Sequence, residues 1–383
     1  MKVVSLFANI GVAEAYLKEI GFEVLLANEI NKKRADLYLR IYPDTKMIKG
    51  DFSDGAVLDL LVKEAIRLGI ELVIATPPCQ GMSTAGQQKT YDERNNLIVP
   101  TLDFIKKVMP KYALIENVPM FLKTKIKVND KSILIPDLIE KELSDLFYIE
   151  SELVDAQHYS VPQVRERSIL LLTNKELLEN KTISRKWVIP PKHKTLVTMK
   201  DVIGDMPPID PYIKDVTEEE VLEIFPSFFI KKKKALSISR WNNPPHHVKR
   251  QVIAMMHTPA GKSAFENEKY KPFKKNGELI KGFLNTYKRQ NWDRPAYTIT
   301  MDNVKISSQN NVHPGRAIGE NESGEALYSD PRALTLYELM LLMSLPKGWP
   351  IPDDTSEAFL RRVIGEGIPP LLVKHIFENL NDE

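Results

Sequence analysis

Cysteine is nearly absent from this sequence, and its scarcity excludes several classes of protein. The single cysteine, Cys79, leaves no partner for an internal disulfide and rules out a zinc site built from several thiolates. A lone cysteine is more often a small buried apolar residue than a nucleophile. Only its neighbours in the sequence can therefore indicate whether Cys79 is reactive.

Long apolar runs and a large net charge are absent as well. No stretch approaches the roughly 20 apolar residues that a membrane-spanning helix needs, and the start, Met1 to Phe7, is typical of a strand and not of a signal peptide. The 383 residues have a formal net charge of only +2. We therefore expect a cytoplasmic protein without a membrane partner, built as one large domain or two modest ones.

Glycine motifs that bind phosphate are a third absence. Neither G-x-G-x-x-G nor a P-loop follows the first predicted strand, which disfavours a dinucleotide or a nucleoside triphosphate as the cofactor. The turn Asn9-Ile10-Gly11 stands there instead, Glu29 ends the second predicted strand, and Asp51 ends the third. Such carboxylates suit the ribose hydroxyls and the adenine amino group of a cofactor without phosphates. S-adenosylmethionine fits that description.

Apolar runs alternate with amphipathic segments through the first half of the chain. Ala13 to Ile20 and Val57 to Leu68 are predicted helices that end at Gly21 and Gly69. This alternation predicts an α/β fold with a doubly wound, mostly parallel, Rossmann-like sheet. Besides the third strand, which ends at Asp51, the predicted strands are Val3 to Phe7, Glu23 to Ala27, Leu72 to Ala75, Tyr112 to Ile115, Ile149 to Val154 and Ile169 to Leu172.

The alternation stops after about Thr173, where the sequence becomes rich in proline and lysine. Order returns near Trp292, with a strand-like segment at Tyr297 to Met301 and an apolar helix at Leu336 to Leu345. We therefore predict a cofactor-binding catalytic domain at 1–174, a second, smaller and irregular target-recognition domain at 175–286, and a return at 287–383 that completes the first domain.

Positive charge is concentrated in the middle of the chain. Lys231 to Arg289 contains 15 Lys or Arg residues against 3 Asp or Glu residues, beside Trp241 and several histidines. Such a segment is either an ordinary solvated surface or a surface that binds a phosphate backbone. Composition alone leaves both interpretations open.

The chemistry is indicated by two segments that follow neighbouring predicted strands. Thr76-Pro77-Pro78-Cys79-Gln80 follows the fourth strand, and Glu116-Asn117-Val118 ends the next one. The carboxyl ends of parallel strands meet at one edge, where open α/β sheets bind ligands. Two prolines restrict the backbone there, so that the sulfur can project into the cleft. A thiol and a carboxyl group are therefore predicted to share one cleft.

These segments resemble the DNA cytosine-5 methyltransferase family. Thr76 to Gln80 is similar to its proline-cysteine-glutamine motif, Glu116 to Val118 to its glutamate-asparagine-valine motif, and Gln163 to Arg167 to its glutamine and arginine motif. Order and spacing also agree, and Arg332 to Pro346 with Ile364 to Pro370 resembles the last motif. The resemblance implies the fold of S-adenosylmethionine-dependent methyltransferases.

The resemblance also implies roles for individual residues. Cys79 would add to carbon 6 of a flipped cytosine, and Glu116 would bond ring nitrogen 3 and the exocyclic amine. Arg165 and Arg167 would orient Glu116, lower the pKa of the thiol or hold the target phosphate. No metal is expected. The residues implied at the cofactor are Phe7, Asn9, Gly11, Glu29, Ile30, Asp51, Phe52, Pro78, Leu97 and Glu366.

Four positions depart from the family pattern. Ser5 and Asn9 stand where the family usually has Asp and Gly, Val12 replaces another Gly, and Glu366 replaces a usual Asn. Because Asn adopts positive φ more readily than most residues, the turn at Asn9 is expected to survive. Glu366 is expected near the methionine end of the cofactor, where it would pair with the ammonium group.

We therefore predict a DNA cytosine-5 methyltransferase acting on double-stranded DNA, as a monomer, within a restriction-modification system that includes a cognate restriction endonuclease. A transfer-RNA cytosine-5 methyltransferase is the alternative within the family, although that branch typically has a Cys-Phe-Thr signature and this chain has no second cysteine. A non-enzymatic DNA-binding regulator with the same fold is a third interpretation. An amino-methylating enzyme is disfavoured, because Thr76 to Cys79 lacks the acid or amide and the aromatic of such motifs.

Overall fold

A computed structural model describes residues 1–78 and 93–380, so the predicted nucleophile Cys79 lies outside the described residues. Helices α1 to α4 span Lys32–Ile41, Gly55–Leu68, Ile98–Val108 and Ile135–Leu143. Strands β1 to β9 span Lys2–Leu6, Glu23–Glu29, Lys46–Lys49, Leu72–Ala75, Tyr112–Asn117, Lys125–Val128, Lys131–Leu134, Phe147–Asp155 and Glu166–Asn174.

Within the described residues, seven of these strands form one sheet in the order β3-β2-β1-β4-β5-β9-β8. Strands β1 to β5 are parallel, and β9 is antiparallel to both of its neighbours. The chain winds outward in both directions from β1 and β4, which places a ligand-binding crevice at their carboxyl ends. The prediction of an α/β fold with a doubly wound, mostly parallel sheet is confirmed.

Successive residues of the central strands face opposite apolar layers. Val4 of β1 and Val73 of β4 pack with α2, α3 and α4, whereas Val3 and Leu72 face the opposite layer. All four side chains are fully buried. Strands covered on both faces are continuous apolar runs, which is why the sequence predicts them without an alternating pattern.

The chain after residue 174 has shorter elements. Strands β10 to β13 span Tyr212–Ile213, His246–His247, Ala317–Glu320 and Ala326–Tyr328. Helices α5 to α12 span Lys175–Glu179, Met199–Ile203, Glu218–Ile224, Phe228–Ile238, Lys249–Met256, Leu336–Leu342, Glu357–Glu366 and Pro370–Glu378. No helix of the described ranges is long and apolar enough to cross a bilayer.

The last helix, α12, packs on the sheet formed by the first 174 residues. Leu372 and Ile376 belong to the same apolar layer as Val3 and Leu72. The buried Trp187 ring donates a hydrogen bond from Nε1 to the Ile376 carbonyl at 2.9 Å. Both ends of the chain therefore share one core, while the boundaries at 175–286 stay a prediction.

Two expectations about local structure are wrong. Ala13 to Ile20 is not an α-helix: it consists of turns followed by a 3-10 helix at Lys18–Ile20. Glu14 and Leu17 are buried in this segment, and Leu17 packs in the apolar layer of Val3 and Leu72, so tertiary packing overrides helix propensity. Tyr297 to Met301 is not a strand. The Ile299 amide donates to the Gln163 side chain and the Ile299 carbonyl accepts from Arg165, so these backbone groups bond to side chains and not to a neighbouring strand.

A buried ionic cluster ties α10 to the middle of the chain. Arg332 donates two hydrogen bonds of 2.8 Å to Glu338, one of 2.8 Å to Asp330 and one of 3.0 Å to the Ile209 carbonyl. Burial alone would raise the pKa of Asp330, but the charges of His313 and Arg332 hold it below its usual value. The cluster therefore keeps its carboxylates ionised although they are buried.

We predict that Arg332→Met destabilises the fold severely, because two buried carboxylates lose their counter-ion. The expected loss is about 3–5 kcal/mol of unfolding free energy, measured by denaturant titration. Arg40→Met is the matched control, since Arg40 makes a similar two-bond pair with Asp354 at an exposed position. The Arg40→Met variant should have nearly the same free energy of unfolding as wild type. Equal losses in the two variants would contradict the role assigned to the buried cluster.

Candidate active site

The segment before Cys79 is anchored to the ends of two strands. Thr76 donates a hydrogen bond from Oγ1 to the Phe7 carbonyl at 3.3 Å, beyond the end of β1. Asn117, the last residue of β5, donates from Nδ2 to the Pro77 carbonyl at 3.0 Å. The described chain therefore reaches Pro78 at the carboxyl edge of the sheet, directly before Cys79.

Glu116, the residue before the last of β5, lies on this same edge and is almost fully buried. Its Oε1 lies 2.8 Å from Nε of Arg167, at the start of β9. Burial raises the pKa of Glu116, and the charges of Arg167 and Arg165 oppose that effect. The net effect raises the pKa of Glu116, which favours the protonated form that a general acid needs.

Arg165 connects this edge to distant parts of the chain. Its guanidinium donates hydrogen bonds of 2.8 Å to the carbonyls of Ile299, Gly365 and Gly367, and one of 3.3 Å to Gln163. Only 2% of the residue is exposed. Arg167 forms an ion pair with Glu116, and Arg165 holds the C-terminal segments beside it.

The turn after β1 is built as the sequence analysis expects. Asn9 and Gly11 both have positive φ, 52° and 82°. A Cβ on Gly11 would overlap the Tyr42 ring, whose hydroxyl donates to the Gly11 carbonyl at 2.6 Å. Asn9 uses its amide Nδ2 to reach the Val363 carbonyl at 3.0 Å. The residue that departs from the family pattern thus also joins this turn to α11.

The Glu29 carboxylate closes the same turn from the end of β2. Its two oxygens accept hydrogen bonds from the backbone amides of Asn9, at 2.9 Å, and Asn31, at 2.8 Å. Each carboxylate oxygen has two acceptor directions, so one on each oxygen is left for a ligand. Asn9 Oδ1 is buried and accepts no hydrogen bond from the part of the chain that the structure describes.

The remaining predicted cofactor residues lie at the ends of neighbouring elements. The rings of Phe7 and Phe52 meet edge to face at 5.0 Å. Ile30 is 64% exposed directly after Glu29. Asp51 accepts hydrogen bonds from Ser53 through Oδ1. Leu97 lies directly before α3, where its carbonyl accepts a bond from Thr101.

Glu366 lies at the end of α11 and forms an ion pair within the protein. Its Oε2 is 2.6 Å from Nη2 of Arg34 in the first turn of α1, and Oε1 is 3.6 Å from Nε of Arg362. Arg34 could not be predicted from the sequence, because two residues so distant along the chain have no local pattern in common. Among the described residues, no group of three or more His, Cys, Asp or Glu could hold a metal.

Glu14 is a second residue that the sequence analysis missed. Only 3% of it is exposed. Burial raises the pKa of Glu14 to about 7, and the Ser5 hydroxyl only partly offsets this effect. Burial, and then the Glu14 charge, raise the pKa values of Tyr38 and Tyr42. A titratable carboxyl thus lies among the residues that support the Gly11 turn.

Comparisons with known proteins give a family match and several relatives. A sequence model of the family described as C-5 cytosine-specific DNA methylase matches residues 1–382. The chain is 39% identical over 384 residues to Type II methyltransferase M1.HgaI of Avibacterium volantium, covering 99% of this chain and 98% of that protein. It is 23% identical over 452 residues to Type II methyltransferase M.AgeI of Thalassovita gelatinovora, covering 99% of each.

Solved structures show the same fold. A candidate DNA modification methyltransferase encoded within a prophage (E. coli) superposes with a TM-score of 0.65 at 19% identity, covering 99% of this chain and 98% of that one. A mutant of DNMT2 from Spodoptera frugiperda superposes with a TM-score of 0.60 at 14% identity, covering 99% of each chain. At such identities the likeness establishes the fold alone.

We predict that Glu14→Gln stabilises the protein in a pH-dependent way. The folded carboxyl holds its proton more tightly than the unfolded one, whose pKa is about 4.3. Wild type therefore loses stability as the pH rises from about 4.3 towards 7, and the Gln variant does not. In denaturant titrations the gain should be small at pH 4.5 and on the order of 1–3 kcal/mol at pH 8.

Glu64→Gln is the opposite control. Hydrogen bonds from Arg67 and Lys46 lower the pKa of Glu64 to about 2, so its ionised form stabilises the fold at neutral pH. This variant should lose stability at pH 8, and the loss should shrink as the pH falls towards 2. A pH-independent effect of Glu14→Gln would show that its carboxyl does not titrate as assigned.

Proposed function

The chain belongs to the C-5 cytosine-specific DNA methylase family, and we propose that it transfers a methyl group from S-adenosylmethionine to carbon 5 of a flipped cytosine in a short duplex sequence. The observation that supports this most directly is the buried Glu116–Arg167 pair beside the anchored segment that leads to Cys79. Relatives named Type II methyltransferases favour a restriction-modification role, with a cognate endonuclease as functional partner. We further propose that the protein acts as a monomer.

The proposed chemistry uses groups from three strand ends. Carbon 5 of cytosine is a weak nucleophile, so the Cys79 thiolate first adds to carbon 6. Protonated Glu116 donates to ring nitrogen 3 and accepts from the exocyclic amine, which stabilises the enamine that forms. Arg167 orients Glu116 through the 2.8 Å contact. Once carbon 5 has gained the methyl group, solvent water takes the carbon 5 proton and the Cys79 thiolate leaves carbon 6, which restores the ring.

The residues after β1, β2 and β3 fit S-adenosylmethionine, which supplies an electrophilic methyl group when bound. The two remaining acceptor directions of Glu29 suit the two ribose hydroxyls. The buried, unsatisfied Oδ1 of Asn9 offers one more acceptor at the same turn. The exposed side chain of Ile30 provides an apolar surface for adenine, with Asp51 near the amino group.

DNA is favoured over transfer RNA as the substrate. The family description names DNA, and the relatives are named Type II methyltransferases. We place the recognition of DNA in the predicted domain at 175–286. On α8, Lys231 forms an ion pair with the buried Asp210, and Lys232 bonds the Tyr212 hydroxyl. The exposed lysines of this run, Lys233 and Lys234, are therefore its phosphate-binding candidates.

We predict that the wild-type protein methylates duplex DNA and that Cys79→Ser abolishes turnover. The Ser hydroxyl stays protonated at neutral pH and adds poorly to carbon 6. Labelled methyl transfer to duplex DNA and to transfer RNA would be compared, together with covalent trapping on duplexes containing 5-fluorocytosine.

Glu116→Gln is the companion variant, because it keeps the shape but cannot supply an acidic proton. It should retain cofactor binding while losing most methyl transfer. Preferred methylation of transfer RNA would support the alternative substrate. Normal turnover by Cys79→Ser, or a wild type that forms no adduct, would refute the proposed nucleophile.

We predict that Lys233→Ala with Lys234→Ala flattens the salt dependence of binding to cognate duplex. Each lost phosphate contact should reduce the log-log slope by about 0.9. Lys231→Ala with Lys232→Ala is the matched control on the same helix, because these two lysines bond to Asp210 and Tyr212. An unchanged slope in the first pair would show that this face of α8 does not contact phosphates.

A further inference from the structure

The ion pair between Arg34 and Glu366 joins two elements that lie far apart in the sequence. Arg34 lies in the first turn of α1 and Glu366 ends α11, with 2.6 Å between Nη2 and Oε2. Their side chains are 20% and 19% exposed. A pair that is four-fifths buried is shielded from solvent much more than a surface salt bridge, so its charges act strongly on their neighbours.

The pair lies beside the turn that the proposed cofactor would contact. Asn9 of this turn reaches the Val363 carbonyl on α11, and a Cβ on Gly367 would press against Val12. The Glu29 carboxylate accepts from the Asn9 amide and from Asn31 at the start of α1. The end of α11 and the start of α1 therefore meet on either side of Glu29.

Both charges act on Glu29. Burial raises the pKa of Glu29, the charge of Arg34 lowers it, and the charge of Glu366 raises it. The other groups that act on this carboxyl are the backbone amides of Asn31 and Asn9. Arg34 therefore favours the ionised form of Glu29, and the charge of Glu366 partly cancels the effect of Arg34.

We propose that Arg34 is a positioning residue of the cofactor site, whose charge, compensated by Glu366, holds the Glu29 carboxylate as the acceptor for the ribose hydroxyls. This inference rests on the proposed use of S-adenosylmethionine. It assigns Glu366 to Arg34 and not to the ammonium of the cofactor. The Glu that replaces the usual Asn of the family is then matched by an arginine on α1.

The charge of the ligand makes this inference testable. S-adenosylmethionine has a sulfonium charge that S-adenosylhomocysteine lacks, and the two are otherwise closely similar. Removing Glu366 leaves the Arg34 cation uncompensated, which disfavours the sulfonium ligand. Removing Arg34 leaves the carboxylates of Glu29 and Glu366 without this cation, which favours the binding of S-adenosylmethionine. A purely structural ion pair would weaken the binding of both ligands alike.

The experiment measures the affinity of both ligands by calorimetry from pH 5 to 8 for wild type, Arg34→Gln, Glu366→Gln and the double variant. Each single substitution should lower the affinity for S-adenosylhomocysteine by about tenfold. The double variant should also bind S-adenosylhomocysteine more weakly than wild type, but its loss of affinity should be smaller than the product of the two single losses. The ratio of the two affinities should shift in opposite directions in the single variants and return towards the wild-type ratio in the double variant.

The pH dependence supplies a second readout with a defined sign. Without the Arg34 cation the pKa of Glu29 rises, so Arg34→Gln should lose affinity at a higher pH than wild type as the solution is acidified. Without the Glu366 charge the pKa of Glu29 falls, so Glu366→Gln should keep its affinity for the ligands to a lower pH than wild type. Arg362→Gln is the matched control, because Arg362 lies 3.6 Å from the same carboxylate but is 64% exposed. The Arg362→Gln variant should bind both ligands with nearly the wild-type affinity and pH dependence.

Independent effects of the two variants, with an unchanged ratio of affinities, would overturn the proposal and leave the pair as a structural contact. A wild type that binds neither ligand would instead refute the proposed cofactor, so the two failures are distinguishable. Melting curves of the apo proteins would show whether the variants fold. Where a Gln variant does not, Arg34→Lys and Glu366→Asp preserve charge and should restore the wild-type ratio if compensation is what matters.

Discussion

One buried guanidinium, that of Arg165, joins the parts of the chain that form the candidate site. It donates to the carbonyls of Ile299, Gly365 and Gly367, which come from segments more than 130 residues away. A buried cation is costly unless its donors are satisfied, and these carbonyls supply acceptors in fixed directions. Because Arg165 also precedes β9, the C-terminal segments are aligned with the strand whose Arg167 holds Glu116.

The glycines at the end of α11 follow from the same constraint. A Cβ on Gly365 would overlap the Thr300 carbonyl, and one on Gly367 would press on Val12. Both backbones can therefore approach Arg165 and the turn after β1 only because they lack side chains. The Gly-Glu-Gly segment that resembles the last family motif is thus explained by packing, and the residue between its glycines, Glu366, is directed to Arg34.

Much of this could be predicted from local sequence, and the failures share one cause. Strand runs, the acids at strand ends and the turn at Asn9 depend on residues close in sequence, so periodicity and residue type indicate them. Arg34 and Glu14 acquire their surroundings from elements that fold against them later in the chain. The segment Ala13 to Ile20, expected to be a helix, instead forms turns and a 3-10 helix in which Glu14 and Leu17 are buried. The assignment of Cys79 rests on motif and position alone, because it lies outside the described residues.

The basic segment shows why a charge count overestimates a binding surface. Arg289 belongs to the excess between residues 231 and 289, yet it is fully buried and donates to four backbone carbonyls, and burial lowers its pKa to about 9. Lys231 and Lys269 form ion pairs with Asp210 and Glu325. Such charges organise the protein, and a buried guanidinium that already has its acceptors cannot also neutralise a phosphate. Attraction to a phosphate backbone depends mainly on the charges that remain exposed, so a phosphate-binding surface in this segment would be smaller than composition indicates.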